Sequence, residues 1–178
     1  MTETASATDD DGEAYKGLFG AFPYAFRASD SRLFRSYVVV GGLAAALITV
    51  TFVLGVVTLV GNTAGAGAGS FTFSRSFFIV VGLAAVAPVL APVLFVARRH
   101  RRTTSDVGYD RALALAGYAF LASLYLLLVI SAPENLRDPP SGLFAPVVRF
   151  LYDLPRTAGL VPPLLVAAAM YLLHRRLR

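Results

Sequence analysis

The chain has 178 residues, of which 56% are hydrophobic and only 15% charged, with no cysteine and a formal charge of +5. A soluble domain carries about a quarter charged residues, so this composition, with a mean hydropathy of +0.64, indicates lipid as the solvent and leaves no room for a sizeable soluble module. The absence of cysteine excludes a disulfide framework, a thiolate nucleophile and a thiolate metal ligand. The arginines fall as short clusters at the ends of apolar runs, which is a topology signal and not a nucleic-acid footprint.

Residues 1–15 carry Glu3, Asp9, Asp10, Asp11 and Glu13 with almost nothing to bury, and read as a disordered acidic tail. Residues 16–36 change character. Leu18, Phe19, Phe22, Tyr24 and Phe26 crowd together, and Ser29-Asp30-Ser31 offers a helix N-cap before Arg32-Leu33-Phe34-Arg35. Aromatic rings and arginine stems suit the headgroup layer, so this is an interfacial juxtamembrane segment.

The first span is expected over residues 37–60, twenty-four residues without a charge; about 20 apolar residues of helix cross a bilayer. Gly41, Gly42, Ala45 and Gly55 are small positions at which another helix approaches closely. Thr49, Thr51 and Thr58 can return their hydroxyls to their own helix. Gly61–Ser70, GNTAGAGAGS, reads as a flexible loop. The second span, residues 76–97, holds Pro88 and Pro92 on one face, where each removes a backbone donor, so a kink or wide turn is expected there.

Arg98, Arg99, Arg101 and Arg102 follow at once, with His100 among them. Four arginines in five residues hold this loop on the cytoplasmic side, and they are candidates for contact with anionic lipid or a partner. Asp106 and Asp110 lie four apart; Asp110 is expected to open the third helix and counter its N-terminal dipole. The third span, residues 112–133, places Tyr118 and Tyr125 on one face with Ser123 nearby, and facing threonines of the first span can supply hydroxyl partners. Thr49, Thr51, Tyr118, Ser123 and Tyr125 are thus the candidate polar lining of the bundle.

Leu143, Val147, Leu151 and Leu154 recur at helical spacing, with Arg149 and Asp153 on the other side. A helix of about twelve residues is too short to cross and suits the outer interface. The fourth span, residues 157–173, has seventeen uncharged residues, the lower limit for a crossing. Pro162-Pro163 would either begin that helix or kink its first turn. Twelve basic residues fall on one side of these spans and four on the other, which puts both termini in the cytoplasm.

The expected fold is therefore all-α, a polytopic integral membrane protein with four transmembrane helices in a bundle and a short outer interfacial helix. The spans hold no Asp, Glu, Lys, Arg or His, which weakens a pump or proton-coupled transporter reading. His100 and His174 sit among arginines and read as solvated, with neither metal-ligand company nor a cofactor motif.

The run GLFGAFPYAFRASDSRLFRSY, Gly17–Tyr37, with its acidic tail and its Ala/Gly/Val-rich helices, resembles small four-helix membrane proteins of halophilic archaea that have no assigned function. The resemblance implies an archaeal plasma membrane and transfers no catalytic residue. The leading functional expectation is a non-enzymatic subunit that binds another membrane protein or itself. A permease or channel component for a small solute is the rival, and a lipid-modifying enzyme using Asp106 and Asp110 the least favoured.

Overall fold

A computed structural model describes residues 17–63, 68–103 and 106–177. The acidic tail, residues 1–15, lies outside the described residues, as does the centre of the Gly/Ala-rich stretch. Among these residues six α-helices follow in order: α1 (Gly17–Ala28), α2 (Arg32–Asn62), α3 (Ala68–His100), α4 (Val107–Ser131), α5 (Ala145–Asp153) and α6 (Val161–Arg176). Short three-ten turns at Glu134–Leu136 and Arg156–Leu160 flank α5. Four helices, in α2, α3, α4 and the stretch Arg156–Arg176, are long and apolar enough to cross a membrane. The all-helical architecture expected from hydropathy is the one observed.

The boundaries differ from the hydropathy runs because caps, not charges, end helices. Ser31 adopts an extended backbone and its hydroxyl accepts from the Phe34 amide at 3.2 Å, so α2 starts at Arg32. Asp106 does the same for α4, accepting from Gly108 N at 2.9 Å. The stretch read as the loop Gly61–Ser70 is shorter than that, since α2 runs to Asn62 and α3 begins at Ala68. Arg75 closes this hairpin by donating from Nη2 to the Thr63 hydroxyl at 2.6 Å. Pro162 and Pro163 begin α6, where a missing amide costs nothing. The short helix α5 has nine residues, fewer than expected, with Leu143 and Leu154 outside it.

Pro88 and Pro92 do not make a turn: α3 is helical from Ala68 to His100. They still leave the carbonyls of Ala84 and Pro88 without a helical donor. In the same stretch the Tyr37 hydroxyl donates to the Val89 carbonyl at 2.6 Å.

The helices pair as α2 with α3 and α4 with α6, and α2 and α3 both meet α4. Packing is uneven along the bundle. Phe34, Tyr37 and Val38 of α2, Val89, Val93 and Val96 of α3, and Tyr109, Leu113 and Ala114 of α4 are buried together at the arginine end. Helix α1 belongs to this core: Ala21 and Ala25 are fully buried, and α1 packs chiefly against α3. Toward the other end α2 and α3 interlock through two glycines. Phe78 fills the space over Gly55 and Phe52 the space over Gly82, with the two rings 5.1 Å apart. Around them Leu43, Leu47, Val53, Leu54 and Val57 are exposed. An apolar face of that extent is unfavourable in water by about 25 cal/mol per Å² and suits lipid instead.

Candidate functional site

The arginine end gathers three of the five polar side chains buried among the described residues, Ser29, Ser31 and Asp110. Ser29 sits in the turn between α1 and α2, fully buried, and its hydroxyl donates to Asp110 Oδ2 at 2.5 Å while accepting from the Ser31 amide at 3.2 Å. Asp110, also fully buried, lies in the first turn of α4. His100, the last residue of α3, brings Nε2 to 3.1 Å from both Asp110 oxygens, and its side chain is only 5% exposed. One carboxylate thus ties the α1–α2 turn, the end of α3 and the start of α4. Arg35 adds a bond from Nε to the Ser29 carbonyl at 2.8 Å.

The order of this chain decides its chemistry. Activation of a hydroxyl nucleophile requires the base, here histidine, beside the hydroxyl, with the carboxylate behind it. Here the carboxylate stands in the middle and takes bonds from both sides. The arrangement fixes three helix ends and supplies no activated nucleophile.

A second cluster lies beside it, around an open cavity of about 180 Å³ lined by Phe95, Arg98, Arg99, Arg102, Thr103, Tyr109 and His174. His174 of α6 stacks on Phe95 with centroids 4.0 Å apart and 12° between planes, and its Nδ1 is 2.6 Å from the Tyr109 hydroxyl. Arg99 is held on several sides: its guanidinium lies 4.1 Å from the Tyr109 ring centroid and 3.6 Å from Asp106, and Nη1 donates to the Leu177 carbonyl. Arg98 and Arg102 are exposed at the rim. Arg101 is exposed and does not line the cavity.

Both histidines are therefore corrected: each is a packed, hydrogen-bonded residue, not a solvated one. Asp110 also differs from expectation, because Asp106 caps α4 and Asp110 faces inward. The two aspartates do not pair, so no acid–base couple forms between them. Spacing offered one usable signal. With Asp106 as the cap, Asp110 falls on the stripe of Leu113, Ala114 and Gly117, which is the buried face.

The expected polar lining is not gathered on one path. Thr49 and Thr51 donate to the carbonyls of Ala45 and Leu47 at 2.7 and 2.9 Å, as their own helix allows, and Ser123 donates to Phe120 at 2.6 Å. Tyr118 finds its hydroxyl partner in Ser36 at 2.9 Å and not in a threonine, while Tyr125 is 67% exposed.

Fold and site together define an all-helical protein with four membrane-length apolar helices, locked at one end by a buried Ser–Asp–His chain beneath an arginine rim. The chain belongs to an uncharacterised family, described as a domain of unknown function (DUF8056), whose match covers residues 1–178. No curated protein and no solved structure matches it.

Proposed function

We propose that this is a multi-pass protein of an archaeal plasma membrane, with both termini cytoplasmic. In this reading it works as a non-enzymatic subunit that binds another membrane protein or a second copy of itself. The observation that carries it is the cleft of about 530 Å³ on α2, lined by Phe22, Gly42, Ala45, Ala46, Thr49, Val50, Val86 and Leu90. Gly42 and Ala46 lie four apart, the small-residue spacing at which membrane helices dock closely. A permease has less support, since the candidate lining hydroxyls bond their own helices, pair with Ser36 in the case of Tyr118 or, in Tyr125, face outward.

Association is tested in mild detergent by native mass spectrometry and crosslinking. The wild type is expected to carry a stoichiometric partner or a second copy. Ala46→Leu, which fills the cleft, should release it, whereas Leu47→Ala on the neighbouring exposed position should not. A monomer without partner in every mild detergent overturns the reading.

Orientation is tested separately, because a chain without cysteine accepts single reporters cleanly. With an impermeant maleimide, Ser141→Cys in the exposed loop before α5 should label from outside and Leu177→Cys only after lysis. The reverse pattern would show that charge does not orient this chain as expected.

A further inference from the structure

The arginine cavity has a chemistry that the association reading does not use. Among the described residues its lining carries three guanidiniums, those of Arg98, Arg99 and Arg102, and no carboxylate. Two acids among the described residues stand near it: Asp106, 3.6 Å from Arg99 with its side chain 53% exposed, and Asp110, buried and bonded to Ser29 and His100. The C-terminal ends of α3 and α6 meet here, and each helix end contributes about −0.5 charge. What faces the opening is nonetheless cationic, because three guanidiniums line the wall and neither acid does. By the same volume measure one water needs about 10–15 Å³, so 180 Å³ accommodates a tetrahedral oxyanion with part of its hydration.

The three arginines differ in what holds them. Arg99 is fixed by the Tyr109 ring, Asp106 and the Leu177 carbonyl, and forms a wall. Arg98 and Arg102 are exposed at the mouth, and neither guanidinium makes a hydrogen bond or ion pair among the described residues. Their planar forks are the groups that grip a phosphate through paired bonds. If these arginines served only to orient the chain, charge near the helix ends would suffice. The stacked Phe95–His174 floor and the pinned third arginine instead give the charge a shaped enclosure.

We propose that this cavity binds a phosphate group, gripped by Arg98 and Arg102 against the fixed Arg99. The group arrives either on an anionic lipid headgroup or as a free phosphate. Only the lipid source rests on the membrane reading above; the phosphate chemistry stands without it, and neither depends on a protein partner.

The test uses the full chain in nanodiscs of pure phosphatidylcholine and in nanodiscs containing phosphatidic acid. Titration of the first with inorganic phosphate, followed by calorimetry, reads the free anion. Native mass spectrometry of the second reads retained phosphatidic acid. Saturable binding in either arm is expected, and which arm responds identifies the source. Arg98→Gln with Arg102→Gln should weaken binding about tenfold or more, the scale for losing charge-assisted hydrogen bonds. Arg98→Lys with Arg102→Lys keeps the charge that insertion requires, and should still bind several-fold more weakly because the fork is gone. Arg175→Gln with Arg176→Gln removes two cations at the same end that do not line the cavity, and should leave affinity within about twofold, as screened surface charges do. Absence of saturable binding by the wild type in both arms overturns the proposal. So does equal weakening by the 175/176 pair, or undiminished binding by the lysine pair, since either would mean that general positive charge suffices.

Discussion

Replacing Asp110 by alanine is expected to lower the stability of the bundle by about 3 kcal/mol, as when one partner is removed from a buried, hydrogen-bonded pair. The figure exceeds an ordinary hydrogen-bond deletion because two groups lose their partner at once. The Ser29 hydroxyl and His100 Nε2 both meet this one carboxylate, at 2.5 and 3.1 Å, in a region closed to water. An unsatisfied buried polar group costs about 1–3 kcal/mol, and here there would be two. The loss is spread over the fold, since the carboxylate joins the α1–α2 turn, α3 and α4. Asp106→Ala is the natural comparison: it removes a helix cap from an exposed side chain and should cost about 1 kcal/mol. Denaturant or thermal unfolding in one fixed detergent ranks the two. Exchanging Asp110 and His100 together for leucine should recover much of the loss, because replacing a buried polar pair by apolar groups is often neutral. An Asp110→Ala protein that unfolds with the wild type would mean that the cluster is wet and holds nothing together.

Why this lock escaped the sequence reading follows from how hydropathy works. Runs such as Ser76–Ala97 show which segments prefer lipid, because that preference is summed over some twenty residues and survives local error. The four membrane-length helices were therefore legible. The end of the bundle was not, because polarity there has two opposite meanings. Arg98, Arg101 and Arg102 are polar and exposed, whereas His100 between them and Asp110 nearby are polar and buried. Neither composition nor charge count separates those cases; only the phase of α4, fixed by its Asp106 cap, does. The second cluster needed still more. Tyr109 and His174 are 65 residues apart, and their 2.6 Å contact depends on α6 lying beside α4. Alternation within a segment carries no information about which helices become neighbours. The aromatic segment before α2 shows the same limit. Its rings suit an interface, but Ala21 and Ala25 between them are the fully buried positions. Small residues in an aromatic stretch are the signal that α1 packs on another helix.

Gly117→Ala is expected to be the most disruptive of the glycine-to-alanine changes among the described residues. A Cβ at this position would stand inside the ring of Tyr37, on the face where α4 approaches α2. The ring has no room to retreat. It is fully buried, and its far side rests on Gly41, where an added Cβ would already lie 3.0 Å from Cζ. Its hydroxyl is committed to the Val89 carbonyl at 2.6 Å, and Tyr118 meets it edge-on with centroids 5.2 Å apart. Overpacking a tight core costs about 1–3 kcal/mol, and displacing Tyr37 adds about 1 kcal/mol for the lost hydrogen bond. The expected total, about 3 kcal/mol, is a backbone displacement of α4 from α2 and not a local rotamer change. Unfolding midpoints of Gly117→Ala, Tyr37→Leu and the double variant form a cycle that isolates this clash. The double variant should be clearly more stable than the sum of the singles predicts, because removing the ring removes what the methyl strikes. Strict additivity would place Gly117 away from Tyr37, and the close approach of α2 and α4 would then be wrong. By contrast Gly61→Ala, where nothing lies within 4 Å of the new methyl, should leave stability unchanged or slightly raised. The difference between these two glycines separates a residue that lets two helices meet from one that merely sits near a helix end.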